Sequence, residues 1–295
     1  MISIIICSAD SLLLAQVSEN IAQTVGLPFE IISVSNPDAR MGICEVYNSR
    51  IDKAKYDLLC FMHEDLLIKT KDWGKVVHSY FQADEQLGIV GIAGGTYKAL
   101  CPSSWYSWID EPNRINLIQR YKHRVAEPEL LFNNPEEEKL SIVTAVDGVW
   151  LCTRKKIAKE IRFDEQMLQG FHGYDVDFSL SVGQNWKVAV TFEVLMEHFS
   201  EGSYDANWLD SVLKLHRKWQ HILPLESGLS LTKEEAKLCE KRCFLFLLEK
   251  MSASNFTKRD MYKVLWQSRL YRVVGWWMFL SLHNRVAKLK NTQVS

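Results

Sequence analysis

Leu58-Leu59-Cys60-Phe61-Met62-His63-Glu64-Asp65-Leu66-Leu67 is an apolar run that breaks into three ionisable residues and then resumes. That is the pattern of a buried strand whose carboxyl end carries chemistry. In an open α/β sheet, ligands bind beyond the carboxyl ends of the strands, so the triplet is a candidate site for a metal or a phosphate-bearing substrate. Taken alone, a strand that surfaces and solvates its charges at a turn accounts for it equally well.

The flanking sequence supplies the sheet. Residues 2 to 7 are β-branched and apolar and end at Ser8-Ala9-Asp10, a first strand with a polar loop at its carboxyl end. Leu12 to Val25 has helical spacing and stops at Gly26-Leu27-Pro28. Glu30 to Val34 is a second strand, the turn formers Ser35 to Gly42 follow, Cys44 to Ala54 is helical, and Tyr56 to Met62 is the third strand. Strand and helix alternate as in a mostly parallel α/β sheet with right-handed crossovers. Trp73 to Gln82 predicts another helix and Leu87 to Ala93 another strand.

Residues 98 to 141 have poor periodicity, with aromatics (Trp105, Tyr106, Trp108), prolines and the acidic run Glu136-Glu137-Glu138. They read as an irregular loop insertion on the acceptor side of the site. Leu140 to Leu151 reads as a strand pair broken at Asp147-Gly148, and residues 187 to 196 as a late strand left through Glu197-His198. Gly173-Tyr174-Asp175 enters a helix, with Asp175 at the end where the helix dipole favours a carboxylate; an N-cap is the plain structural account. Asp177 would face away from Asp175 on that helix, as a structural partner. From residue 211 onward the chain is a helical extension to a domain of residues 1 to 210, with helices Trp208 to Trp219, Lys233 to Met251 and Lys258 to Lys290.

Composition bounds the function. The 295 residues are 47% hydrophobic and 24% charged, ordinary for a globular protein with a sizeable core. A formal net charge of −1 provides no field to gather DNA or RNA, so nucleic acid is not expected as the main ligand. Seven cysteines at scattered spacings, with no CxxC pair, imply a reducing, cytoplasmic setting. The apolar start lacks a basic leader and reads as a strand rather than a signal peptide. No glycine-rich dinucleotide fingerprint or Walker lysine follows the first strand.

In this order, Ser8-Ala9-Asp10, Gly42 with Tyr47-Asn48, His63-Glu64-Asp65, Asp147-Gly148, Phe163-Asp164-Glu165, Gly173-Tyr174-Asp175-Val176-Asp177 and His198 resemble a glycosyltransferase of the GT-A fold. The chain is most similar to family 2, in the branch of a streptomycin-biosynthesis protein, over residues 2 to 210. The resemblance implies a nucleotide-sugar donor, a UDP-sugar by family habit, and a carbohydrate or lipid-linked acceptor. It implies donor contacts at Ser8, Asp10, Asn36, Asn48, His63, Glu64, Asp147, Gly148 and Trp150. Trp150 serves equally well as a core aromatic. It implies Mn²⁺ or Mg²⁺ held by Asp65 and His198, where a plain loop-bonded histidine is the alternative for His198, and Asp175 as the base that deprotonates the acceptor. The chain departs from the family pattern twice, with His63 in place of the first acid of the metal motif and Tyr174 in place of the Glu before the base.

Two other readings stand beside this one. A nucleotidyltransferase would show a Gly- and Lys/Arg-rich loop after strand one, which Ser8-Ala9-Asp10-Ser11 is not. An inactive binding or scaffold protein on the same fold would tolerate His63 and Tyr174. At the C-terminus, Val273 to Leu282 is apolar and flanked by Arg269, Arg272, Arg285, Lys288 and Lys290, too short to span a bilayer. A helix packed on the catalytic domain or on a second copy in a homodimer explains it, and so does peripheral contact with the inner face of a membrane.

Overall fold

A computed structural model of the protein describes residues 1–122, 126–228, 230–254 and 256–289. The β-branched run at the start forms the strand Ile2–Ser8, which lies between the edge strand Phe29–Ser35 and Leu58–Met62, both parallel to it. Trp150–Arg154 then inserts antiparallel between Leu58–Met62 and Leu87–Gly91, followed by Lys187–Thr191 and Leu140–Val143 at the far edge. Only Trp150–Arg154 and Leu140–Val143 run against the other five strands, so the sheet is mostly parallel as expected. Alternate side chains fill opposite faces. Ile2, Ile4, Ile6, Cys60 and Met62 pack in one core, and Ile5, Leu59 and Phe61 in the other, beneath the helix Ile43–Ile51.

A second sheet crosses the carboxyl ends and frames the site. Its strand Leu66–Ile68 pairs antiparallel with Met196–His198, which runs parallel to Asn113–Gln119. Residues 98 to 141 are therefore not an irregular insertion. They contain the hairpin Asn113–Gln119 with Glu129–Asn133, while the expectation for residues 123–125 lies outside the described residues. The alternation was hidden because buried positions of the hairpin are polar. The Arg114 guanidinium donates to the carbonyls of Glu111 and Asn113, and the Asn116 amide donates to those of Phe192 and Val194.

The C-terminal helices Lys233–Ala253, Lys258–Gln267 and Tyr271–Lys288 share a core with Tyr97, Ala99, Cys101 and Trp208. The single helix expected from Lys258 to Lys290 is broken at Ser268–Leu270, where Arg269 takes a positive φ, and kinked at Gly275, φ +77°. Lys290 lies outside the described residues. Glu240 is fully buried and joins these helices to the rest, accepting from the Tyr97 hydroxyl and the backbone amides of Leu100 and Cys101. Trp276, Trp277 and Leu280 face outward, Trp277 with 90% of its surface exposed. Among the described residues, no helix is long and apolar enough to cross a membrane.

Candidate active site

Sheet register assembles the site from four separated segments. Leu66 pairs with His198, and the Phe199 amide donates to the Asp65 carbonyl at 3.1 Å, which sets His198 against Asp65. Met62 pairs with Trp150, and the His63 amide donates to the Val149 carbonyl at 3.0 Å, which brings Asp147-Gly148 alongside His63. The helix Tyr174–Val182 starts from Gly173, whose φ of +78° suits glycine, and presents Tyr174 and Asp175 at the same place.

His63, Asp65 and His198 form a group in which one possible ligand atom from each residue lies within 4.8 Å of the others. Asp65 Oδ1 is 3.8 Å from His63 Nδ1 and 3.6 Å from His198 Nε2, and Oδ2 accepts from the Ser200 hydroxyl at 2.6 Å. Burial pushes the His63 imidazole below its ordinary value. Burial works the other way on Asp65, but His198, His63 and Ser200 hold its carboxyl well below the usual range. Two imidazoles and a carboxylate gathered this closely are a fitting donor set for a divalent cation.

Across from this group, the Asp175 carboxylate accepts from the Val176 amide at 2.9 Å and from the Gly148 amide at 3.0 Å. Burial, with the charge of Asp147 next, pushes its pKa up to about 7, while those two amides pull it down. Asp147 itself accepts from the Val149 amide and from Trp105 Nε1. Tyr174 is buried, which drives its phenol far above the ordinary value, so it keeps its proton. His63, Asp147, Asp175 and His198 line one cavity of about 660 Å³, and Trp105, Tyr106, Trp108 and Tyr204 line it too.

The other sequence-derived residues divide. Ser8, Asp10, Asn36 and Glu64 gather at the carboxyl ends of the first three strands, with their side chains engaged internally. Ser8 Oγ donates to the Asp10 carbonyl, Asp10 caps the helix Ser11–Thr24, and the Asn36 amide brackets the Met41 backbone. Glu64 turns away from the metal-type group onto the amides of Ala9 and Asp10, at 2.9 and 3.1 Å. Two residues belong elsewhere. Asn48 lies on the far face of its helix, tying down the Phe163 backbone and Glu165. Trp150 is wholly buried against Trp73 in the core, so it is no platform for a sugar; its strand is covered on both faces. Asp177 pairs with Lys218 at 2.9 Å and Trp219 at 2.7 Å, the structural role its spacing implied.

Sequence reasoning missed Gln119, Ser200 and Tyr204. Ser200 stands two residues after His198, a local signal that could have found it. Gln119 reaches His198 only through strand pairing, and nothing local marks it.

A seven-stranded, mostly parallel sheet with an acid-bearing strand end and a crossing second sheet is the GT-A glycosyltransferase fold. Residues 3–201 match the glycosyltransferase-like family, and the chain belongs to it. It is 25% identical over 188 residues to the streptomycin biosynthesis protein StrF of Streptomyces griseus, covering 61% of this chain and 62% of that protein's own length. Among solved structures it is similar to residues 1–349 of S. aureus TarS, with a TM-score of 0.55 at 12% identity over 97% of this chain and 89% of that one. The complex of that TarS fragment with UDP-GlcNAc aligns with a TM-score of 0.52 at 12% identity, over 97% of this chain and 90% of the other.

Proposed function

We propose that the protein is an inverting, metal-dependent glycosyltransferase that moves a sugar from a nucleotide diphosphate to an acceptor hydroxyl. The observation that carries this is the placement of Asp175: a carboxylate with its pKa near 7, at a helix N-terminus, facing the same cavity as His63 and His198. In this reading the acceptor hydroxyl gives its proton to Asp175 as its oxygen bonds the anomeric carbon. The bond from that carbon to the diphosphate oxygen breaks on the opposite face, inverting the centre. General base assistance of this kind contributes about 10²- to 10⁴-fold. Backbone amides at both Asp175 oxygens hold the carboxylate in place and leave each oxygen a lone pair for the proton. Asp65 and His198 would hold Mn²⁺ or Mg²⁺, which when bound neutralises charge developing on the departing diphosphate.

The donor is a nucleotide-sugar, with UDP the first base to try, since the similar TarS fragment binds UDP-GlcNAc. The indole and phenol walls of the cavity suit a carbohydrate acceptor, whose C–H faces stack on aromatic rings. Free cysteines at all seven positions support a cytoplasmic location. Exposed Trp276 and Trp277 beside Arg269 and Arg272 support peripheral contact with an anionic membrane carrying a lipid-linked acceptor.

Calorimetric titration with UDP, GDP, CDP and dTDP, each with Mn²⁺ and with EDTA, tests the donor site. Metal-dependent binding of one nucleotide, lost in Asp65→Ala, is the expected result. A folded protein that binds none of them would overturn the assignment in favour of an inactive scaffold.

A further inference from the structure

His63 and Tyr174, the two positions where the chain departs from the acidic pattern it otherwise follows, touch each other. Their contact fixes where protons sit. Tyr174 Oη lies 3.0 Å from the Gly148 carbonyl oxygen and 3.0 Å from His63 Nε2. The phenol has one proton and the carbonyl can only accept, so that proton points at Gly148 and Nε2–H of His63 donates into the phenol oxygen. In the neutral ring this leaves Nδ1 as the lone-pair nitrogen, 3.8 Å from Asp65 Oδ1.

His198 meets the same Asp65 oxygen from another element. The Gln119 amide nitrogen donates to the carbonyls of Arg120 and Ser200, at 2.5 and 2.9 Å, which turns its Oε1 toward His198 Nδ1 at 3.4 Å. His198 Nε2 lies 3.6 Å from the same Asp65 oxygen and 3.4 Å from the Ser200 hydroxyl oxygen. Ser200 spends its own proton on the other Asp65 oxygen. His63 Nδ1, His198 Nε2 and the Asp65 carboxylate thus converge, one possible ligand atom from each lying within 4.8 Å of the others.

We propose that His63 is a third metal ligand through Nδ1, making the centre a two-histidine, one-carboxylate site, and that Tyr174 is the residue that positions it. This rests on the reading that Asp65 and His198 hold the ion. Two imidazoles select Mn²⁺, Fe²⁺, Co²⁺ or Zn²⁺ over Mg²⁺, which prefers oxygen. Three protein ligands would leave positions on the ion for diphosphate oxygens. The histidine at position 63 takes over a metal-motif position with its Nε2 held by Tyr174.

The test uses the full chain with Mn²⁺ and no nucleotide, following the loss of the free-ion electron paramagnetic resonance signal. Tyr174→Phe, which keeps the ring and removes the hydroxyl, is expected to weaken Mn²⁺ binding about 10- to 100-fold, the effect typical of losing such an outer partner. His63→Ala is expected to weaken it at least as much. Mg²⁺ is expected to displace Mn²⁺ only in large excess. Electron spin-echo modulation of the Mn²⁺-loaded wild type is expected to show two coupled imidazole nitrogens, a readout that needs no variant to fold. One nitrogen, or unchanged affinity in His63→Ala while Asp65→Ala abolishes binding, would overturn the third ligand and leave the Asp65–His198 site standing. Absence of Mn²⁺ binding by the wild type would overturn both.

Discussion

Asp147→Asn is expected to move the acid limb of the pH–rate profile to lower pH. In the wild type, Asp175 is pushed up to about 7 by burial first and by the Asp147 charge second. A general base works deprotonated, so with that pKa about a tenth of the enzyme is competent at pH 6 and about nine-tenths at pH 8. kcat/KM should therefore rise roughly tenfold between those values and level off. Removing the negative charge of Asp147 removes a cause that raises the pKa, so Asp175 loses its proton more easily and the limb shifts downward. Burial, the larger cause, remains, so the limb does not fall to that of an ordinary aspartate. The assay is nucleoside diphosphate release between pH 5 and 9 at two saturating Mn²⁺ concentrations; a limb that moves with Mn²⁺ would report the histidines, and one that stays reports Asp175. A Mn²⁺-independent limb that stays put or moves upward in Asp147→Asn would refute the coupling between the two carboxylates.

Other perturbations follow from particular contacts. A Cβ at Gly148 would lie 2.2 Å from Tyr174 Oη, so Gly148→Ala is expected to cost about 1–3 kcal/mol in urea unfolding and to weaken Mn²⁺ binding with it. Glu240→Ala leaves two backbone amides and the Tyr97 hydroxyl without their acceptor in the core, and a loss of about 3 kcal/mol or more in the same unfolding measurement is expected. Asp175→Asn should retain nucleotide binding by calorimetry while turnover falls by about 10²-fold or more. Trp277→Ser should leave folding stability within about 0.5 kcal/mol, since the indole is 90% exposed, yet reduce sedimentation with phosphatidylglycerol vesicles.

The apolar runs and the residues that end them located three strands of the central sheet. Ile2–Ser8, Leu58–Met62 and Leu87–Gly91 fall within two residues of the expected strands, because a strand buried on both faces must be continuously apolar and must stop where polar groups need water. The same logic marked His63 to Asp65 as a strand end and Asp175 as a helix start. It failed for the hairpin Asn113–Gln119, whose buried Arg114 and Asn116 look like loop residues until their distant carbonyl partners are known.

Which way a side chain faces was decided only in three dimensions. Asn48 and Trp150 sit in correctly expected elements but point into a loop anchor and a core, because facing depends on what packs over each element. The clearest case is the proton arrangement at His63. Residues 63, 148 and 174 acquire a shared hydrogen-bond chain only when antiparallel pairing of Trp150–Arg154 with Leu58–Met62 draws Gly148 beside His63 and the helix at Tyr174 docks on both. The sequence by itself determined which chemical groups were present and at which ends of which elements. Tertiary structure decided which of their lone pairs meet, since hydrogen-bond direction and ligand distance are set by register between segments that no local pattern records.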